Sequence, residues 1–158
     1  MPHTPDKNIA RALSTSPCFA GLSQSALGVV AEAAVAARFE AGQFLLREGQ
    51  AADRFFVLLQ GRVAIELRSS NRGQVIIQTL EEGDVVGLSW LHPPQRWIFD
   101  AQALTFIDAL SIDADAIMAA CRLDPALGLD LMHRFAGCAI DQLQAARLQL
   151  LEFYGVKG

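Results

Sequence analysis

Hydrophobic and polar positions change rhythm twice along this chain. After a short Ile9-Ala10-Arg11-Ala12-Leu13 stretch, the apolar positions Leu27, Val30 and Ala34 recur at helical spacing, with no breaker after Gly28. Ser23 stands where a side-chain oxygen can accept an orphan helix amide, so a helix from Ser23 through Ala37 is predicted. From Gly42 the texture becomes β-like. Short runs at Phe44–Leu46, Arg54–Leu59, Arg62–Arg68, Val75–Leu80 and Trp97–Ile112 are punctuated by Gly42, Gly49, Gly61, Gly73, Gly83 and Gly87. Alternation of period two in Val63-Ala64-Ile65-Glu66-Leu67-Arg68, with turn signals about every 7–12 residues, predicts a small antiparallel sandwich or barrel.

Past Ile112 the helical rhythm returns. Asp113 or Asp115 can cap a helix over Ala116–Arg122, and Asp124-Pro125 opens a long one, because proline fits the first helical position and the aspartate can accept free amides. It can run to Phe153 or Tyr154, where Gly155 stops it. Such a helix spans about 40 Å at 1.5 Å per residue, more than one small barrel covers, so part of it needs a partner surface. Two stripes compete for that role. Met132, Phe135, Ala139, Gln142, Ala146, Gln149 and Phe153 follow alternating steps of three and four, weakened by two glutamines; Ile140, Leu143, Leu150 and Tyr154 form the other. The pattern alone leaves the choice open. The implied organisation is a loose start (1–15) leading into one helical turn over Ile9–Leu13, a β domain with entry helices (16–123), the long helix (124–154) and a tail (155–158).

Composition narrows the function classes. With 158 residues, 52% hydrophobic and 19% charged, the chain makes one domain with a substantial core. Thirteen basic against 17 acidic residues give a net charge of −4, which supplies no general attraction to nucleic acid or anionic lipid. The longest apolar runs, Phe55–Leu59 and Ala114–Cys121, fall far short of the roughly 20 residues of a membrane span, so no membrane association and a cytoplasmic location are expected. Cys18, Cys121 and Cys138 are odd in number, far apart and free of any C-x-x-C pair; they read as small core hydrophobes rather than a disulfide, zinc or iron–sulfur framework. His3, His92 and His133 show no ligand spacing, and no nucleophile elbow or P-loop is present. No catalysis and no catalytic metal are expected.

One set of residues carries a family pattern. Phe39-x-x-Gly42-x-x-Leu45-x-x-Glu48-Gly49-x-x-x-Asp53-x-x-Phe56-x-Leu58-x-x-Gly61-x-Val63, followed by Leu80-x-x-Gly83-Asp84-x-x-Gly87, resembles the cyclic-nucleotide-binding domain of the catabolite-activator (Crp/Fnr-type) superfamily of bacterial regulators. The similarity extends from about Leu13 to Phe153, and Pro17-Cys18-Phe19-Ala20-Gly21-Leu22-Ser23 looks like the family's helical entry. The resemblance implies a mainly β fold with flanking helices: an eight-stranded jelly-roll barrel, a short helix in the ligand pocket and a long C-terminal dimerisation helix. In turn positions the same glycines also serve plain chain reversal, and Glu48 and Asp53 sit in a loop where carboxylates can accept backbone amides.

The ligand pattern departs from the family. Nucleotide-binding members carry Phe-Gly-Glu-x-Ala-Leu and, after a variable loop, Arg-Ser/Thr/Ala-Ala; the glutamate accepts from the ribose hydroxyl and the arginine holds the cyclic phosphate. Here Leu88 stands where the glutamate belongs, and Trp97 and Ile98 replace the small pair after Arg96. A leucine cannot accept that bond, and an unpaired buried hydroxyl costs roughly 1–3 kcal/mol, a weakening of about 10- to 100-fold. Arg96 can still bind an anion, or it can be a solvated arginine stacked on Trp97 or Trp90. The segment Ser89–Asp100 is accordingly either a rebuilt pocket lid or a rigid plug. The expected pocket comprises Gly87, Leu88, Ser89, Trp90, Arg96, Trp97 and, from the long helix, Gln142.

The function expected from these features is a non-catalytic sensor module that binds a small anionic effector, a cyclic nucleotide or another ligand, and signals as a homodimer to a partner protein. A regulator working with a DNA-binding domain absent from this chain, and a ligand-free interaction domain, are the alternatives. Only Gly155–Gly158 follow the long helix, too few for a helix-turn-helix, so no direct nucleic-acid binding is expected of this chain.

Overall fold

Eight short strands pair almost entirely across the chain rather than with their sequence neighbours: β1 (Ala34–Phe39), β2 (Phe44–Leu46), β3 (Arg54–Gln60), β4 (Val63–Ser69), β5 (Gly73–Leu80), β6 (Val85–Val86), β7 (Asp100–Ala103) and β8 (Ile107–Asp113). In the computed structural model, which describes residues 7–155, they form two antiparallel sheets ordered β1-β8-β3-β6 and β2-β7-β4-β5. Of consecutive strands only β4 and β5 are hydrogen-bonded neighbours; every other connection crosses between the sheets, which is jelly-roll topology. The expected barrel is corrected here to an open sandwich. The edge strands β2 and β6 have three and two residues, too few ladder bonds to zip one sheet to the other.

The sandwich is framed by α1 (Lys7–Ser14), α2 (Gln24–Glu32), α3 (Ala114–Leu123) and α4 (Pro125–Phe153). The helical turn expected at the end of the loose start is the longer helix α1, which buries Leu13 completely against the core; residues 1–6, with His3, and 156–158 of the tail lie outside the described residues. Ser23 caps α2 as expected, its hydroxyl accepting from Ala26 N at 3.2 Å. The helix nevertheless stops at Glu32 rather than continuing to Ala37, because residues 34–39 form a six-residue ladder with β8, from Ala34 opposite Ile112 to Phe39 opposite Ile107. Helix propensity of an alanine-rich segment is worth a few tenths of a kcal/mol per residue, and a sheet edge in need of a partner overrides it.

Elsewhere the punctuation works as read. Asp113 caps α3 through bonds from Asp115 N at 2.9 Å and Ala116 N at 3.2 Å; Asp124 caps α4 through Leu127 N at 3.2 Å; and Gly155 adopts a φ of +71° just past the α4 terminus. The long Trp97–Ile112 run divides into β7 and β8 around a turn in which Leu104 N donates to Arg62 O at 2.9 Å. Gly61 is indispensable to the crossover into β4. Its φ is +103°, and an added Cβ would lie 2.2 Å from Phe106 O and 2.6 Å from Ile107 Cδ1. Gly61→Ala is therefore expected to cost well over ~1 kcal/mol in a denaturation curve. Gly137, in the middle of α4 with nothing within 4 Å of an added Cβ, should instead gain about 0.5–1 kcal/mol as alanine.

Two different surfaces anchor α4. Its first half packs into the core: Leu131 and Phe135 are fully buried, and Gly128 brings the helix so close to α3 that a Cβ would meet Cys121 O at 2.9 Å. Its second half lies along β5 and β6 through glutamines. Gln142 Nε2 donates to Val85 O, Gln78 Nε2 donates to Gln142 O at 3.2 Å, and Gln149 Oε1 accepts from Thr79 N at 3.1 Å. The stripe running through Phe135, Gln142 and Gln149 therefore faces its own sheet. Its two glutamines, out of place in a coiled-coil seam, satisfy backbone groups of that sheet. Ile140 (65% exposed), Leu143 (51%), Leu150 and Tyr154 face outward.

Candidate functional site

The segment from Gly83 to Trp97 is where sequence reading placed the pocket. It begins in a turn whose carboxylate, Asp84, accepts from Glu81 N at 2.8 Å; burial pushes that carboxyl above its ordinary range. Asp53 pairs with the Arg54 guanidinium at 3.0 Å, which, together with a bond from a backbone amide as expected, holds its carboxyl below the ordinary range. Gly87, at φ +91°, then turns the chain out of β6, and Ser89–Leu91 form a single 3-10 turn where the family has a short helix.

From that turn Trp90 points inward and is buried. Its indole stacks on Phe55 of β3 (5.2 Å, 11°) and meets Phe135 of α4 edge to face (5.1 Å, 82°); Phe135 also packs edge to face on Phe19 and Phe55. One aromatic cluster thus links the entry segment, the sandwich, the loop and the long helix. The Trp90 Nε1–H within it has no hydrogen-bond partner.

The remainder of the loop is zipped onto the segment before β3. Ala52 N donates to Gln95 O at 2.8 Å, Trp97 N to Gln50 O at 3.0 Å and Gly49 N to Trp97 O at 2.8 Å, with Ala51 and Arg96 forming a bridge. Gln95 holds a left-handed φ of +56° and sends its side-chain amide to Trp90 O at 3.1 Å. Arg96 neither stacks on a tryptophan nor points into a cavity of the loop; its Nη1 donates to Gly49 O at 2.8 Å on an exposed surface. The cation–π contact is made by Arg47, whose guanidinium lies 3.9 Å over Phe44.

Trp97 fills the inner side of the turn. Its ring carbons lie 2.7–2.8 Å from the position a Cβ on Gly87 would take, beside Leu46, and the side chain is buried. The glycine is required because the indole sits against its backbone. Ile98, the other large residue in place of the small pair, is solvent-exposed. Gly87, Leu88, Ser89, Trp90, Arg96 and Trp97 are thus brought together along one loop, with both tryptophans turned into the protein.

Gln142 lies apart from that loop, in a cleft of about 550 Å3 between α4, β5 and the β5–β6 turn, walled by Gln78, Asp84, Arg134, Cys138, Asp141 and Gln149 among others. Of the seven predicted pocket residues, only Gln142 lines it. A second feature escaped sequence reading: buried Glu66 and Asp100 sit opposite each other on β4 and β7. Asp100 accepts from Glu48 N at 2.7 Å and from Gln74 Nε2 at 2.6 Å, with Arg47 at 3.6 Å, so its charge is shared among three donors. The available signal was an acidic residue among the apolar positions of each of the two runs, Glu66 after Val63-Ala64-Ile65 and Asp100 after Trp97-Ile98-Phe99. Among the described residues there is no cluster of metal-ligating side chains and no helix long and apolar enough to cross a membrane.

The jelly-roll sandwich, its glycine-rich turns and the loop between β6 and β7 define a cyclic nucleotide-binding domain. Residues 36–124 match the family model of that description, and the chain belongs to this family. Over 105 residues it is 24% identical to a CRP-like cAMP-activated global transcriptional regulator of Mycobacterium tuberculosis, covering 66% of this chain and 47% of that protein. It is 26% identical over 113 residues to a cGMP-dependent protein kinase, isozyme 1, of Drosophila melanogaster, covering 70% of this chain but 15% of the kinase. The chain thus spans about half the length of the first relative and far less of the second. In three dimensions it is similar to a cyclic nucleotide-binding domain from Methylobacillus flagellatus, with a TM-score of 0.77 at 17% identity over 91% of this chain and 81% of that one.

Proposed function

We propose that this chain is a regulatory module of the cyclic nucleotide-binding class whose own Trp97 occupies the place of the cyclic phosphate, and which signals as a homodimer, paired along α4, to a partner protein. The observation that carries this reading is the Trp97 indole against Gly87 beneath a loop zipped to residues 49–52. It favours the plug over the open lid. A phosphate approaching the turn would have to displace a buried indole, and a ribose would find Leu88 in place of an acceptor. Arg96, bonded to Gly49 O, acts as a brace rather than an anion clamp. The role is regulatory and non-catalytic, and a cytoplasmic setting fits the reading.

Calorimetric titration of the purified chain with cyclic AMP and cyclic GMP tests it. Binding is expected to be weak or undetectable for both, and low-micromolar affinity for either would overturn the plug.

A second reading keeps a small effector but moves it to the α4–β5 cleft, whose volume of about 550 Å3 falls within the range of about 300–1,000 Å3 of small-molecule sites. A thermal-shift response to an anionic metabolite that survives Arg96→Ala and vanishes with Gln142→Leu would place the effector there. A response lost with Arg96→Ala would place it under the loop.

A further inference from the structure

Two cysteines far apart in sequence meet at the wall of the α4–β5 cleft. Cys18, buried in the turn that follows α1, has its Sγ 4.0 Å from the carbonyl oxygen of Arg134. That carbonyl lies one helical turn before Cys138, and a helical side chain leans back over the turn N-terminal to its own Cα. The half-buried Cys138 thiol therefore lies towards the same spot, and the two thiols sit close enough to perturb each other's ionisation. Both line the cleft, which gives small solutes a route to them.

We propose that Cys18 and Cys138 are a redox pair that a peroxide-class oxidant converts to a reversible disulfide, stapling the entry segment to α4. This rests on the thiol geometry alone and not on what the β6–β7 loop binds.

The environment assigns the two roles. The neighbouring Cys18 thiol holds the Cys138 thiol below its ordinary range, against burial and the Asp141 and Asp84 carboxylates. The same pairing and burial push Cys18 far up, with only the Arg134 cation opposing. Cys138, the more accessible of the two, is thus the attacking thiolate and the buried Cys18 the resolving thiol. The Cys138 sulfur attacks one peroxide oxygen; an S–O bond forms, the O–O bond breaks, and the hydroxide released takes up a proton as water. The Cys18 sulfur then attacks the sulfur of the Cys138 sulfenic acid; the S–S bond forms, the S–O bond breaks, and the departing hydroxide leaves as water with the Cys18 proton. Two electrons pass from the thiol pair to the peroxide, and a small dithiol reverses the change by exchange. The disulfide would fix the entry segment to the middle of α4, the helix that carries the exposed Ile140–Leu143 stripe.

The test uses the full chain treated with a few equivalents of hydrogen peroxide, then analysed by intact mass and non-reducing peptide mapping. Expected are loss of two hydrogens, a Cys18–Cys138 cross-linked peptide, full reversal by dithiothreitol and an unchanged result in Cys121→Ser. In Cys18→Ser, Cys138 should accumulate as a sulfenic acid trapped by dimedone; in Cys138→Ser, no trapped product should form at Cys18. If Cys18→Ser folds poorly, the wild-type peptide map stands without it. A chain that stays fully reduced, or that links through Cys121 or only between molecules, overturns the proposal.

Discussion

Replacing Ile140 and Leu143 with glutamate is expected to convert a dimer into a monomer while leaving the fold intact. Both side chains lie on the outward face of α4, more than half exposed, in a stripe that continues through Leu150 and Tyr154. A monomer leaving such a face in water gains nothing from it. Pairing two copies about a two-fold axis puts each residue against the same surface of its partner, so two substitutions change four side chains at the seam. Burying a large apolar side chain contributes about 1.5–3 kcal/mol, and four facing carboxylates add repulsion, so dissociation should strengthen by more than about 100-fold. Sedimentation velocity at tens of micromolar should show a dimeric wild type and a monomeric variant with unchanged circular dichroism. A monomeric wild type would refute pairing through α4. Equivalent changes at Gln142 or Gln149 should act differently, through the fit of α4 on its own sheet, because those side chains bond to Val85 and Thr79.

Phe135→Ala should be among the most destabilising single substitutions. The ring is fully buried and makes three edge-to-face contacts, with Phe19 at 5.8 Å, Phe55 at 5.3 Å and Trp90 at 5.1 Å. Truncating a core phenylalanine to alanine costs about 3–5 kcal/mol, and each aromatic pair contributes about 0.5–1.5 kcal/mol beyond its area. Urea denaturation should therefore lose at least ~3 kcal/mol in Phe135→Ala, and much less in Phe135→Leu, which keeps most of the volume. Phe135 is also the contact between α4 and the β6–β7 loop. Its removal should red-shift the tryptophan emission as Trp90 loses its edge-on partner and gains water. A loss below ~1 kcal/mol would mean that the helix is not seated on this cluster.

Local signals on this chain are dependable wherever one residue decides one conformation. Ser23, Asp113 and Asp124 cap the helices they precede, and the glycines between the β runs hold positive φ as their positions required. The long helix begins and ends within a residue of where proline and glycine placed it. The resemblance carried by those turns extended to the eight strands and the long C-terminal helix, while the barrel opened into a sandwich and the pocket helix shrank to a 3-10 turn. What failed were choices between nearly equal local preferences. Ala34–Phe39 is as acceptable in a helix as in a strand, and the free edge of β8 claimed it.

The candidate site divides along the same line. The residue types of the loop follow from the chain itself: a leucine where an acceptor belongs and a tryptophan in place of a small residue, enough to forecast a poor fit for a cyclic nucleotide. Where those side chains point does not follow, because an indole can lie on either face of a loop at similar local energy. Only the sandwich, with Gly87 and Leu46 forming a bed for Trp97 and Phe55 and Phe135 one for Trp90, sets their inward direction. Likewise, spacing could define two stripes on α4 but not choose between them. That choice depends on which face finds unpaired backbone groups at Thr79 and Val85. Sequence alone determined caps, turns, strand runs and the chemistry available to the loop, because these depend on neighbouring residues. Tertiary structure decided orientation and partnership, because these depend on surfaces brought together from opposite ends of the chain.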